Sequence, residues 1–119
     1  MHRSGTSAVA RVLGLCGATL PRGALPPNEY NETGYWEPEA VVCLHDELLA
    51  ALGSRFDDLN ALPAGWHLSP LVAAYAPRLG QVLEEAYGDA PLWVIKDPRL
   101  CRLLSLWRVV LDELGVAAP

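Results

Sequence analysis

The sequence predicts an α/β fold, helices packed on a parallel sheet, to which this chain contributes mostly the helices. Two stretches and one ordering carry that prediction. Met1-His2-Arg3-Ser4-Gly5-Thr6-Ser7 is a glycine-containing turn running straight into the apolar stretch Ala8 to Leu15, the wording of a phosphate-binding turn at a helix N-terminus. Leu92-Trp93-Val94-Ile95 is a short unbroken apolar run between Pro91 and Lys96, the pattern of a strand buried on both faces. The order along the chain is turn, helix, long loop, helix, loop, helix, strand, helix. One strand makes no sheet, so the completing strands are expected before Met1 and after Pro119.

The elements follow in turn. Thr6 to about Cys16 reads as a helix apolar almost all round, suited to burial against a sheet, with Gly17 as its stop. Residues 21–37 hold Pro21, Gly23, Pro26, Pro27 and Gly34 among polar side chains and read as a long connection of the kind that often carries function. Pro38 suits the first turn of a second helix, with Val41, Leu44, Leu48 and Leu52 near one face and Gly53 closing it. Residues 54–68 read as a mixed loop. Ser69-Pro70 is an N-cap followed by proline at the first helical position, so residues 70–87 are expected to be helical, kinked by Pro77 and ended by Gly88. Asp97-Pro98 stops the predicted strand, and Arg99 to Leu114 reads as an amphipathic helix closed by Gly115.

Composition narrows the function classes. The chain has 119 residues, 51% of them hydrophobic, enough for one core and too few for two. Fourteen acidic against nine basic residues give a net charge of −5, which argues against a nucleic-acid or anionic-membrane surface and makes any anion site local. Cys16, Cys43 and Cys101 lack C-x-x-C spacing and read as reduced, buried thiols, with no disulfide framework or metal site implied. Arg11 interrupts the N-terminal apolar run, and no segment reaches the ~18 apolar residues of a membrane span. The chain reads as cytoplasmic.

The opening turn suits an anion for physical reasons. Backbone N–H groups at a helix start converge on one spot, the helix dipole adds positive potential, and Arg3, Ser4, Thr6 and Ser7 supply side-chain donors. In the P-loop pattern G-x-x-x-x-G-K-[ST], placing the second glycine on Gly5 puts the first one residue before Met1 and Thr6 in the lysine position. The chain thus begins inside its own predicted site, and its cation, Arg3, lies before the glycine. The same residues also read as an ordinary helix start capped by Ser4.

Taken together with Asn31-Glu32-Thr33-Gly34-Tyr35-Trp36-Glu37 and Lys96-Asp97-Pro98-Arg99-Leu100-Cys101-Arg102, the turn resembles sulfotransferases that use 3′-phosphoadenosine 5′-phosphosulfate, in particular a bacterial branch. The resemblance covers nearly the whole chain in consistent order. It implies a P-loop NTPase-like three-layer sandwich with a parallel sheet, of which residues 1–119 would be an incomplete, mostly helical N-terminal portion. Residues 1–7 correspond to the 5′-phosphosulfate loop, 21–37 to the acceptor-side loop, and 92–98 to a strand and K-D-P turn. The donor would be held by Arg3, Ser4, Gly5, Thr6 and Ser7.

Catalysis would fall to Arg3, Glu37 and Lys96. Sulfuryl transfer needs cations on the departing bridge oxygen and a base on the acceptor proton. Arg3 stays protonated and can act only electrostatically. Lys96 ends the predicted strand, the edge where open α/β sheets bind ligands, although a lysine there also serves simply to reach solvent. Glu37 is the first choice for base, with Glu32 and Glu39 as competitors. Trp36 and Tyr35 can close the pocket, stack on an acceptor sugar or pack. Asp97 can pair with Lys96 or Arg99, or cap the next helix. Pro98 stands where cytosolic members carry a histidine base, so His2, His45 and His67 inherit no such role, and His45 and His67 read as structural.

The acceptor is expected to be a hydroxyl or amine on a small molecule, glycan or protein, with no metal required. The family's 3′-phosphate motif, a strand followed by arginine and then serine, has no counterpart between Lys96 and Pro119. The chain alone is therefore expected to bind donor weakly or not at all and to turn nothing over. Two rivals stand beside this reading: a nucleotide kinase-like P-loop protein, and a non-catalytic helical interaction domain.

Overall fold

Amphipathic spacing builds the core, and glycine and proline set where its helices stop. A computed structural model describes residues 5–118, and about half of the chain is helical. The helices are α1 (Thr6–Leu15), α2 (Glu39–Ala51), the short α3 (Pro70–Ala73), α4 (Tyr75–Tyr87) and α5 (Leu100–Glu113), with a 3₁₀ turn at Trp66–Leu68. In α2, Val41, Leu44, His45, Leu48 and Leu49 recur at helical spacing and are all buried. Leu79, Leu83, Ala86 and Tyr87 do the same on α4, and Leu103, Leu106, Trp107 and Val110 on α5. These three faces meet in one cluster around Trp107, burying apolar area at roughly 25 cal/mol per Å².

The helix ends follow local chemistry. Ser69 Oγ accepts the Val72 N–H, and Pro70 occupies the first turn, where its missing N–H costs nothing. The helix expected over 70–87 is broken rather than kinked, dividing at Ala74. Pro77 has no N–H to offer the Ala73 carbonyl four residues back, and its ring crowds that carbonyl, so the interruption falls a turn before the proline itself. Gly53 (φ 73) and Gly115 (φ 65) follow the ends of α2 and α5 in the left-handed conformation that a Cβ disfavours.

Three expectations are corrected. The predicted strand over 92–95 does not form, and no strand occurs among the described residues; the segment makes one parallel bridge, Thr19 with Trp93. Thr19 N–H bonds the Leu92 carbonyl at 2.9 Å and Val94 N–H returns to the Thr19 carbonyl at 3.1 Å. Pro21 and Pro91 flank the bridge without N–H groups, so the ladder cannot extend through them. Secondly, α1 forms as predicted but is not buried: only Ala10 is covered, and Val9, Val12, Leu13 and Leu15 remain exposed. The helix lies beside the core instead of within it. Thirdly, Cys16, Cys43 and Cys101 are free thiols but exposed, each on the outer side of its segment. Among the described residues no helix is long and apolar enough to cross a membrane.

Candidate functional site

The site is built from three segments far apart in sequence. Gly5 takes a left-handed conformation (φ 75) and its carbonyl accepts the Val9 N–H at 3.1 Å, starting α1. The N–H groups of the first turn have no helical acceptor and, among the described residues, no other, which suits them to an anion. Ser7, two residues in, reaches the second segment: its hydroxyl donates to the Tyr35 carbonyl at 3.4 Å and lies 3.5 Å from Asn31 Nδ2.

That second segment, 21–38, closes on itself. Leu25 N–H bonds the Glu37 carbonyl at 2.8 Å and Glu39 N–H bonds the Gly23 carbonyl at 3.0 Å. Inside the loop, Asn28 Oδ1 accepts from the Tyr30 N–H and the Tyr35 hydroxyl, and Asn31 Nδ2 donates to the Gly34 carbonyl at 2.7 Å. Trp36 is the one non-glycine residue with positive φ (58) among the described residues, a conformation costing about 1–2 kcal/mol. The loop's own hydrogen bonds and the tie to Ser7 hold it there.

Glu37 follows, buried to 5% exposure, with its carboxylate on the Lys96 ammonium. Lys96 belongs to the third segment, the turn into α5, and its side chain is only 11% exposed. Arg99 Nη1 stands 3.9 Å from the other Glu37 oxygen. Each of these long cationic side chains is thus pinned instead of extended into solvent.

Behind them lies a buried chain of hydrogen bonds. Asp97 Oδ1 accepts from the Arg99 N–H at 3.0 Å and from Arg99 Nη1 at 2.9 Å. Its other oxygen meets His45 Nδ1 at 2.6 Å, and His45 Nε2 faces Trp107 Nε1 at 2.8 Å. An indole N–H can only donate, so Nε2 is the acceptor and the imidazole proton sits on Nδ1, donated to Asp97. Arg99 also forks onto Asp46, Nε at 2.6 Å and Nη2 at 3.1 Å. The core helices α2 and α5 thereby fix the turn that aims Lys96.

Burial by itself would push the Asp97 carboxyl up, but the His45 hydrogen bond, the Arg99 N–H and the nearby guanidinium outweigh it, and the group lies below its ordinary value. Burial works against the charged Arg99 as well, and the two aspartates more than offset it. A folded-state value below the unfolded one means that Asp97 contributes stability above pH 3.8, its ordinary value, and loses it as pH falls through the folded value. Asp97→Asn is therefore expected to be less stable at pH 7 yet flatter below pH 4, measured by denaturant unfolding across pH. Parallel profiles for the two proteins would contradict this.

The three segments enclose an open cleft of about 1120 Å³. Of the residues singled out from sequence, Gly5, Thr6, Ser7, Glu37 and Lys96 all line it. His2, Arg3 and Ser4 lie outside the described residues. Glu32 and Glu39, the competing bases, are exposed and take no part in the cleft wall. His45 is fully buried and holds Asp97, while His67 is exposed elsewhere. Asp97 pairs with Arg99 and caps its N–H, two of the options open to it. Sequence reasoning missed Arg11, which lines the cleft with its guanidinium 5.1 Å from the Trp36 ring centroid; its position four residues after Ser7 was the available signal. The His45–Asp97–Trp107 chain left no such signal, since its members are 52 and 62 residues apart. Among the described residues no group of three or more His, Cys, Asp or Glu side chains is placed to hold a metal ion.

Fold and site together define a mostly helical domain with a cleft whose wall joins a helix-start turn to a part-buried lysine–glutamate pair. No family model, no curated protein and no solved structure matches the chain.

Proposed function

We propose that this chain carries the 5′-phosphosulfate side of a sulfotransferase that uses 3′-phosphoadenosine 5′-phosphosulfate, within a P-loop NTPase-like α/β sandwich. The observation that carries the reading is the convergence of Gly5–Ser7, Glu37 and Lys96 on one cleft. The parallel bridge of Thr19 with Trp93 supports the sheet expected around it, since it joins the segments that follow α1 and precede Lys96 in the parallel sense. The donor set fits the donor molecule: first-turn N–H groups without an acceptor among the described residues and a lysine suit a phosphate, and nothing in the reaction calls for a metal.

When bound, the donor supplies an activated sulfuryl group. The Thr6 and Ser7 N–H groups hold its 5′-phosphate, and Lys96 stabilises the charge that develops on that phosphate as the sulfur–bridge oxygen bond breaks. The acceptor hydroxyl or amine forms the new bond to sulfur. Its proton passes to a Glu37 carboxylate oxygen, and the electron pair of the broken bond stays with the phosphate. Arg3 adds fixed positive charge beside the glycine turn. The acceptor is a small molecule, glycan or protein presented at the 21–37 loop.

The test is ligand preference. The 3′-phosphate motif has no counterpart after Lys96 in this chain, so adenosine 3′,5′-bisphosphate and adenosine 5′-monophosphate are expected to bind alike, weakly, and without magnesium. Nuclear magnetic resonance titration reads affinities in that range. Tighter binding of ATP with magnesium than of either nucleotide would replace this reading with the kinase-like one.

A further inference from the structure

We propose that Arg11 and Trp36 form a carboxylate-binding subsite on the acceptor side of the cleft, so that the acceptor is a hydroxyl compound bearing its own carboxylate, as a uronic-acid sugar does. The cleft wall contains two cations among the described residues, and they differ in state. Lys96 is neutralised by Glu37, whereas Arg11 makes no ion pair and no hydrogen bond among the described residues. What Arg11 does touch is the Trp36 ring, at 5.1 Å. An arginine held over an indole keeps its planar fork of N–H donors for a planar two-oxygen acceptor, the match that distinguishes it from lysine.

The placement is built by both partners. Ser7 and Arg11 share a face of α1, with Arg11 about 6 Å farther along the axis from the glycine turn. Trp36 is placed against it, one residue before Glu37, with a left-handed backbone uncommon for a non-glycine residue. Arg11 and Glu37 line the same cleft, so an acceptor whose hydroxyl meets Glu37 shares that cleft with the Arg11 guanidinium. Tyr30, 73% exposed, presents a further aromatic surface on the same cleft, suited to the C–H face of a saccharide. The word acceptor rests on the sulfotransferase reading; the subsite itself does not.

The probes are 4-nitrophenyl β-D-glucuronide and 4-nitrophenyl β-D-glucoside, which differ at one carboxylate, titrated by nuclear magnetic resonance into the 119-residue chain. The glucuronide is expected to bind about tenfold tighter, the ratio a charge-assisted pair supplies. Arg11→Met is expected to abolish the preference and Arg11→Lys to retain part of it, while both keep the wild-type melting temperature because Arg11 is exposed. Equal binding of the two probes, or a preference that survives in Arg11→Met, overturns the subsite. Adenosine 3′,5′-bisphosphate and ATP with magnesium are titrated separately: if ATP binds tighter while the glucuronide preference stands, the donor reading falls and the subsite survives.

Discussion

Replacing His45 by leucine is expected to cost the fold about 3 kcal/mol, the scale for leaving a buried carboxylate short of a donor and a buried N–H without an acceptor. His45 is fully buried and bridges Trp107 Nε1 to Asp97. Leucine leaves the Asp97 carboxylate with one donor fewer and leaves the buried indole N–H without its acceptor. For a domain of this size the fall in melting temperature is on the order of 10–20 °C. His45→Asn, whose amide can still donate toward Asp97, is expected to recover part of that loss, and Trp107→Phe, which removes the donor to Nε2 together with part of the core volume, to be destabilising through the cavity it leaves. Thermal melts of the three variants give the ranking. Equal losses in His45→Leu and His45→Asn would mean that shape, and not the Asp97 hydrogen bond, is what His45 supplies.

The largest functional effects are expected at the Lys96–Glu37 pair, and they have opposite signs. Lys96→Met removes the part-buried cation of the cleft wall and is expected to lower affinity for adenosine 3′,5′-bisphosphate about tenfold or more. Glu37→Gln removes the carboxylate that competes with the ligand for the Lys96 ammonium. Binding of the bisphosphate is therefore expected to tighten several-fold, although a glutamine cannot take an acceptor proton. A purely structural ion pair predicts that both substitutions weaken binding together, through loss of the same contact. Titration of the two variants beside the wild type separates these accounts.

Both predictions rest on contacts that sequence made legible to different degrees. Helix ends and faces read correctly where their signals are local: Ser69-Pro70, Gly53 and Gly115 mark ends, and the spacing of Leu103, Leu106, Trp107 and Val110 marks a face, whereas the break at Ala74 was expected only as a kink. The run Leu92 to Ile95 misled because an apolar stretch states what a segment would bury, whereas a strand needs a neighbour able to pair along its length. Thr19 is the neighbour, and Pro21 and Pro91 limit the pairing to one bridge. The same reasoning explains α1, whose apolar surface is clear in sequence while its covering is a tertiary matter.

At the site, the glycine turn, the Glu37 loop and the Lys96 turn were each recognisable as chemistry-bearing text. Their meeting in one cleft was not, because no spacing rule links Ser7 with Tyr35 or Glu37 with Lys96. The support behind Lys96 was less legible still: Asp97 reads as a turn residue and His45 as a helix-face residue, and only the fold joins them.

The central claim is that the turn, the loop and the lysine act as one anion-binding site. Amide chemical-shift mapping with adenosine 3′,5′-bisphosphate tests it most directly. The account predicts that Gly5, Thr6, Ser7, Glu37 and Lys96 respond together, with one shared dissociation constant, and that Lys96→Met suppresses the whole set. Shifts confined to residues outside the cleft, or a response at Gly5 to Ser7 unaffected by Lys96→Met, would contradict it.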